Sequence, residues 1–242
     1  MKERNDSVVI GPSNGWLYAR NIFSLKKHKE FLKRAGANAI EFCETEDERR
    51  VESLFNDEEF GEFRHISLHL SDYDDSQPEF SQISLVKKVF ERRRPIACLI
   101  HPLRIPESYL EALVNQGIPI VIENMDKNKN SGYVLKELEL LLRNFGLKFV
   151  LDIQHAFEHD PTMKYAMDLF QMAGNKLVYF HVSGETKDNN HVLVNRSENC
   201  KAITDFLGAV FSEINVPIIL EGEYTTADEV SQEIEFLKSE II

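Results

Sequence analysis

Cysteine is scarce in this 242-residue chain: Cys43, Cys98 and Cys200 are odd in number and far apart. That excludes a small domain built on disulfides. Cys43 and Cys98 lie in apolar runs and read as buried thiols kept reduced. No apolar stretch approaches the length of a membrane span, and Met1 to Ser7 is polar and charged, without the apolar segment of a signal peptide. A soluble, cytoplasmic protein is expected. No Ser/Gly-rich linker, low-complexity tract or repeat of solenoid period divides the chain, so one domain is expected over residues 1–242. Positive charge is also short, with 28 Lys plus Arg against 40 Asp plus Glu and a formal charge of −12. Nucleic-acid binding depends on neutralising phosphates with Lys and Arg, so this balance disfavours a polyanionic partner. A dinucleotide fingerprint is missing too, because Gly11-Pro12-Ser13-Asn14-Gly15 has the wrong spacing for one.

What the chain does have is hydrophobic content, 43% of its residues, arranged in a regular alternation. Short runs rich in Ile, Val, Leu or Phe occur at Val8–Ile10, Ala39–Phe42, His65–Leu70, Ile96–Ile100, Ile118–Ile122, Leu147–Ile153, Leu177–Val182 and Val216–Leu220. Runs of this kind suit strands buried on both faces of a parallel sheet. Between them lie helix-like segments at Leu25–Ala35, Glu46–Leu54, Glu79–Arg93, Pro106–Gln116, Val134–Phe145, Pro161–Ala173, Glu198–Ile214 and Ala227–Lys238. Asp160 followed by Pro161 reads as a helix start, and Thr226 with Glu229 resembles a capping box. Gly36, Gly117, Gly146 and Gly174 each follow a helical stretch, where a left-handed residue is wanted. Unbroken βα units of this number predict an α/β fold of the (β/α)8 TIM-barrel type.

In such a barrel the chemistry sits where strands end. Six successive strands finish in a titratable residue: His69, His101, Glu123, Asp152, His181 and Glu221. His155 and His191 lie in the adjacent loops. Carboxylates and imidazoles close an apolar strand only where something offsets their desolvation, and a divalent cation does so. His28, His65 and His159 have no such placement, and Arg92-Arg93-Arg94 reads as a solvated helix end.

At these residues the sequence resembles the xylose isomerase-like TIM barrels and, within them, the endonuclease IV family. Asp152-Ile153-Gln154-His155-Ala156-Phe157 looks like that family's D-x-x-H-A-F segment. Ile100-His101-Pro102, Glu123-Asn124, Phe180-His181 and Ile219-Leu220-Glu221 are similar to its strands four, five, seven and eight. The resemblance implies two or three divalent metal ions, zinc foremost with manganese as the alternative. It places His69, His101 and Glu123 on a first ion. A bridging Glu123 with Asp152, His181 and Glu221 would hold a second, and His155 with His191 a third. The implied reaction is phosphoester hydrolysis with metal-activated water as the nucleophile, in which Glu123 and Glu221 are the candidate catalytic carboxylates. Tyr73, Asn124 and Asn189 are the candidate substrate contacts.

Two departures from the family matter. Asn189 stands where the third ion's aspartate is expected, with Asp188 one step off register, so that site is expected to be weak or exchangeable. The loops at the predicted mouth carry Glu44, Glu46, Asp47, Asp72, Asp74, Asp75, Asp126, Glu158, Asp160, Glu185, Asp188 and Glu223 against Arg104, Lys127, Lys129 and Lys187. This acidic rim makes duplex DNA a doubtful substrate and favours a small phosphoester or sugar-type molecule. A sugar isomerase or epimerase is the competing enzyme. It would use one ion on Glu123, Asp152, His181 and Glu221, with glutamates moving the proton. That reading gives His69, His101 and His191 no ligand role, and it wants an arginine that Gly184-Glu185-Thr186-Lys187 does not offer. A metal-binding barrel without DNA-repair activity is the third possibility. The sequence leaves the oligomeric state open.

Overall fold

A computed structural model describes residues 8–15, 25–43, 62–93 and 95–241. In chain order its main elements are β1 (Ile10–Pro12), α1 (Leu25–Ala35), β2 (Ala39–Cys43), β3 (His65–His69), α2 (Glu79–Arg93) and β4 (Ala97–Ile100). They continue with α3 (Glu107–Asn115), β5 (Ile120–Glu123), α4 (Leu135–Asn144), β6 (Lys148–Asp152), α5 (Ile153–His159) and α6 (Lys164–Ala173). The last are β7 (Leu177–Val182), α7 (Cys200–Val210), β8 (Ile218–Leu220) and α8 (Ala227–Ile241). The helix expected over Glu46–Leu54 lies outside the described residues.

All eight strands join one parallel sheet in the order β1-β8-β7-β6-β5-β4-β3-β2, a (β/α)8 TIM barrel as the alternation predicts. The seam between β1 and β2 is closed partly by side chains. Asn38 accepts the Ile10 N–H on Oδ1 at 2.7 Å and donates through Nδ2 to Val8 O at 3.2 Å. Asn14 accepts the Cys43 N–H at 2.8 Å, and its own N–H donates to Glu41 O at 2.9 Å. The strands approach so closely here that a Cβ on Gly11 would stand 1.8 Å from Ala39 O, so only glycine fits.

The apolar residues divide into two populations by strand parity. Residues such as Ile40, Phe42, Leu68, Cys98, Ile100, Ile122, Phe149, Leu151, Phe180 and Leu220 pack outward with the helices. A smaller cluster fills the barrel axis: Ala39, Ala97, Leu99, Val121, Val150, Tyr179 and Ile219. Side chains alternate faces along a strand, so a residue two places beyond an inward one also points inward. That simple period positions the site.

The boundaries differ from the sequence expectation at informative places. β1 runs two residues past Ile10, because Gly11 and Pro12 continue the ladder with Ile219 and Leu220. The run expected to hold strand through Ile153 stops at Asp152, whose carboxylate accepts the His155 N–H at 2.7 Å and so caps α5. Asp160 does not start a helix at Pro161. Its side chain instead accepts from Thr162 and Tyr165, Met163 takes a left-handed φ of 62°, and α6 begins at Lys164. At α8 Thr226 Oγ1 accepts the Glu229 N–H at 3.2 Å, while Glu229 reaches back to the Thr225 N–H at 2.7 Å. The expected glycine stops at Gly36, Gly117, Gly146 and Gly174 all have positive φ. No described helix is long and apolar enough to cross a membrane, and none of the three cysteines is in a disulfide. Burial, with Glu41 nearby, pushes the Cys43 thiol up to about 12.

Candidate metal centre

Each strand that contributes to the axial cluster carries a polar side chain two residues further on. Ala39 is followed by Glu41, Leu99 by His101, Val121 by Glu123, Val150 by Asp152, Tyr179 by His181 and Ile219 by Glu221. On β3 the same parity carries Ser67 and His69. The polar layer therefore lies directly above the apolar plug, at the C-terminal ends of the strands. Three groups of side chains bring ligand atoms within 4.8 Å of one another: His69, His101 and Glu123; Glu123, Asp152 and His181; and Glu41, His181 and Glu221.

Glu123 links the first two. Its Oε1 lies 3.0 Å from His101 Nε2 and its Oε2 lies 2.9 Å from His181 Nδ1. Glu221 Oε1 is 3.3 Å from the same His181 Nδ1. His69 and His101 meet edge to face with ring centroids 4.7 Å apart. Glu41, Glu123, Asp152 and His181 are all at most 2% exposed. Among their atoms, Glu123 Oε2, Asp152 Oδ2 and His181 Nδ1 are buried with no hydrogen-bond partner among the described residues. Buried polar atoms are nearly always paired, so three orphans converging on one point fit a cation better than they fit each other.

The surroundings fix which nitrogen each histidine presents. His69 Nδ1 lies 3.1 Å from Leu70 O and His155 Nδ1 lies 3.0 Å from Asn124 O. A nitrogen facing a carbonyl must donate, so both rings offer Nε2. His101 Nδ1 is held by Asp72, again leaving Nε2 for the centre. His181 is turned the other way: Nε2 faces Glu41 Oε1 at 3.0 Å, and Nδ1 faces Glu123 and Glu221. Such partners orient metal-binding imidazoles.

Charges are strongly displaced among these side chains. Burial works against charge on His101, but Asp72 and Glu123 outweigh it and raise its pKa to about 10. Burial likewise opposes charge on His181, and Glu221, Glu41 and Glu123 hold it well above the ordinary value. Burial lifts Asp152 to about 6, with Glu221 and Glu123 adding to the effect against His155 and His181. Glu123 is held well below the usual carboxylate range despite burial, because His101 and His181 flank it. Buried carboxylates in such excess around imidazoles are the environment that a divalent cation would neutralise.

The remaining sequence candidates fall elsewhere. His155 and His191 stand edge to face with centroids 6.2 Å apart, and His191 Nδ1 lies 3.2 Å from Ser183 Oγ. No carboxylate completes a three-residue ligand group with them among the described residues. Asn189 is exposed and its N–H donates to Thr186 Oγ1. Asn124 is fully buried, and the backbone of Asp152 occupies both ends of its amide. Tyr73 packs on Tyr109 at 5.0 Å and lines a cavity of about 340 Å³ with Asp72, Arg104, Asn128, Lys129 and Ser131.

Sequence reasoning missed two contributors. Glu41 is fully buried beneath His181, and Asp72 orients His101. The signal for Glu41 was available: a lone carboxylate inside Ala39–Phe42, with the inward parity of Ala39. Asp72 was visible only as one acidic loop residue among many.

No family model matches the sequence, and no curated protein matches it. The fold does have solved counterparts. A D-tagatose 3-epimerase-like protein superposes with a TM-score of 0.73 at 16% identity, over 97% of this chain and 97% of that one. Endonuclease IV from Thermus thermophilus gives 0.67 at 15% identity, over 90% of this chain and 94% of the other. A sugar phosphate isomerase/epimerase from Parabacteroides distasonis gives 0.60 at 14% identity, over 96% and 94%. These likenesses show a shared TIM-barrel fold, found in an endonuclease and in epimerase-like proteins alike.

Proposed function

We propose that the chain is a divalent-metal-dependent hydrolase of phosphoester bonds, loaded with zinc or alternatively manganese, and acting on a small phosphoester or sugar-type substrate. The observation that carries this reading is Glu123, whose two oxygens face two different ligand sets at 3.0 and 2.9 Å. His69, His101 and Glu123 would hold one ion, and Glu123, Asp152, His181 and Glu221 the other. Two ions so placed supply water of lowered pKa and neutralise developing charge on a phosphoryl group. The chain's own part is to hold that geometry in a dry, rigid layer. Among Glu41, Glu123, Asp152 and Glu221, only the last has a solvent-open side chain, 16% exposed, so it is the carboxylate of the set that a substrate could reach. Asn189 leaves the third site without its carboxylate, so an ion there is expected to be weak.

A small substrate is supported by the acidic loops expected around the mouth, which would repel a polyanionic duplex. The unpaired state of the cysteines supports a cytoplasmic setting.

A sugar epimerase is the second reading, favoured by Glu123 and Glu221 lying on one nitrogen of His181, an arrangement that suits a single ion flanked by two glutamates. Assays of the zinc- and manganese-loaded chain on a generic phosphodiester, an abasic-site duplex and a ketohexose separate these readings. Cleavage of the small phosphodiester is expected. Epimerisation alone would establish the second reading, and inactivity on all three would leave a metal-binding barrel without this chemistry.

A further inference from the structure

Glu41 has no place in the ligand sets proposed above, yet it is 0% exposed and lies at the bottom of the polar layer. Its Oε2 accepts hydrogen bonds from Ser67 Oγ at 3.0 Å and from the Tyr179 hydroxyl at 2.7 Å. Its Oε1 has neither of these and lies 3.0 Å from His181 Nε2, itself fully buried. Neither of these two facing atoms has a hydrogen-bond partner among the described residues, so each is left with the other, 3.0 Å away, as its polar neighbour. The carboxylate is therefore gripped by two hydroxyls on one oxygen and left to face the imidazole with the other.

We propose that Glu41 is the positioning residue of the centre: it fixes the proton of His181 on Nε2, so that Nδ1 is presented as the ligand atom to Glu123, Asp152 and Glu221. This rests on the metal-centre reading given above. The physical reason is the histidine's symmetry. A neutral imidazole carries one proton on either nitrogen, and in a fully buried site nothing but a partner decides which. His69 and His101, the other two histidines of the centre, have such a partner on Nδ1, namely Leu70 O and Asp72, and they offer Nε2. Among the described residues of the two sets His181 alone turns Nδ1 to the centre, and Glu41 faces its far side. Ser67 and Tyr179 hold the carboxylate in place, which makes the alignment a property of β2, β3 and β7 together rather than of one flexible side chain. Glu41 touches no reacting atom, so its effect is on metal affinity and on the imidazole.

The test uses zinc alone as the probe, on the full chain. In Glu41→Gln, zinc affinity at the set containing His181 is expected to fall roughly 10–100-fold, the usual effect of losing an orienting partner. Affinity at the set containing His69 and His101 should hold. Ser67→Ala and Tyr179→Phe each remove one of the two bonds that hold Glu41 and keep the other, so each is expected to lose less affinity than Glu41→Gln. Histidine ¹⁵N spectra of the zinc-loaded wild-type chain should show His181 with Nε2 protonated and Nδ1 on the ion, a readout that stands even if Glu41→Gln does not fold. A folded Glu41→Gln that binds zinc as the wild type does, or Ser67→Ala and Tyr179→Phe chains that lose as much affinity as Glu41→Gln, would overturn the assignment. So would Nε2 of His181 as the ligand atom. A wild-type chain that binds no zinc would instead overturn the metal-centre reading itself, and this assignment with it.

Discussion

Asn124 and Asp152 are joined by both ends of one amide: Asn124 Oδ1 accepts the Asp152 N–H at 2.9 Å, and Asn124 Nδ2 donates to Asp152 O at 2.8 Å. The pair ties the end of β5 to the end of β6, and so sets the spacing between Glu123 and Asp152. Both residues are fully buried. Replacing Asn124 with alanine leaves two backbone groups without partners. The expected cost is about 2–4 kcal/mol of unfolding free energy, read by denaturant titration. A loss below about 0.5 kcal/mol would mean that water or a shift of the strands replaces the amide.

Asp72 holds His101 from the outside, as Glu41 holds His181 from within. Its side chain is 55% exposed, so removing it should change stability little. Asp72→Asn is expected to weaken zinc binding at the set containing His101 roughly 10–100-fold and to spare the set containing His181. Competition against a chromophoric chelator measures both affinities, and equal losses at the two sets would contradict the division.

Metal loading should release protons. In the metal-free chain His101 titrates at about 10 and His181 well above its ordinary value, so both rings are charged at neutral pH. An imidazole ligand must be neutral, so an ion has to displace those protons, and affinity therefore rises with pH. Zinc titration calorimetry near neutral pH in buffers of different ionisation heat should report proton release. A heat independent of buffer would rule it out.

Glu233 predicts a pH dependence of stability away from the centre. It lies in α8, 1% exposed, and accepts the Val194 N–H at 2.5 Å. Burial raises its pKa from 4.5 to about 7 against the pull of the Val194 and Asn195 N–H groups and Arg196. Between those values the folded chain holds a proton that the unfolded chain has lost, so stability is greatest at low pH and falls as pH rises from about 4.5 through about 7. The loss is at most about 3 kcal/mol. Glu233→Gln should flatten that part of the stability profile measured by chemical denaturation, and an unchanged slope would contradict the assignment.

The alternation of apolar runs with amphipathic stretches carried the fold, since buried parallel strands and surface helices differ in hydrophobic period, a property that a sequence displays. The strand-end residues His101, Glu123, Asp152, His181 and Glu221 were legible for a related reason: each interrupts an apolar run. Glu41 interrupts one too, but it stands in mid-strand, and its significance appears only when its parity is matched with Ala39 and its neighbour across the barrel, His181, is known. Asn124 read as a site residue because it follows Glu123. Whether its amide turns to a ligand or to the next strand depends on the register of β5 against β6, which one chain's sequence does not display. α5 was hidden because Ile153 continues the apolar run, and only the cap supplied by Asp152 ends the strand there.

Elemental analysis of the purified chain after zinc loading and removal of loosely held ions tests the shared role of Glu123 most directly. Two ions per chain are expected, falling to one in His101→Ala, whose ring serves one ligand set alone. A single ion in the wild-type chain, or two ions retained in His101→Ala, would contradict a centre built on two ligand sets joined by Glu123.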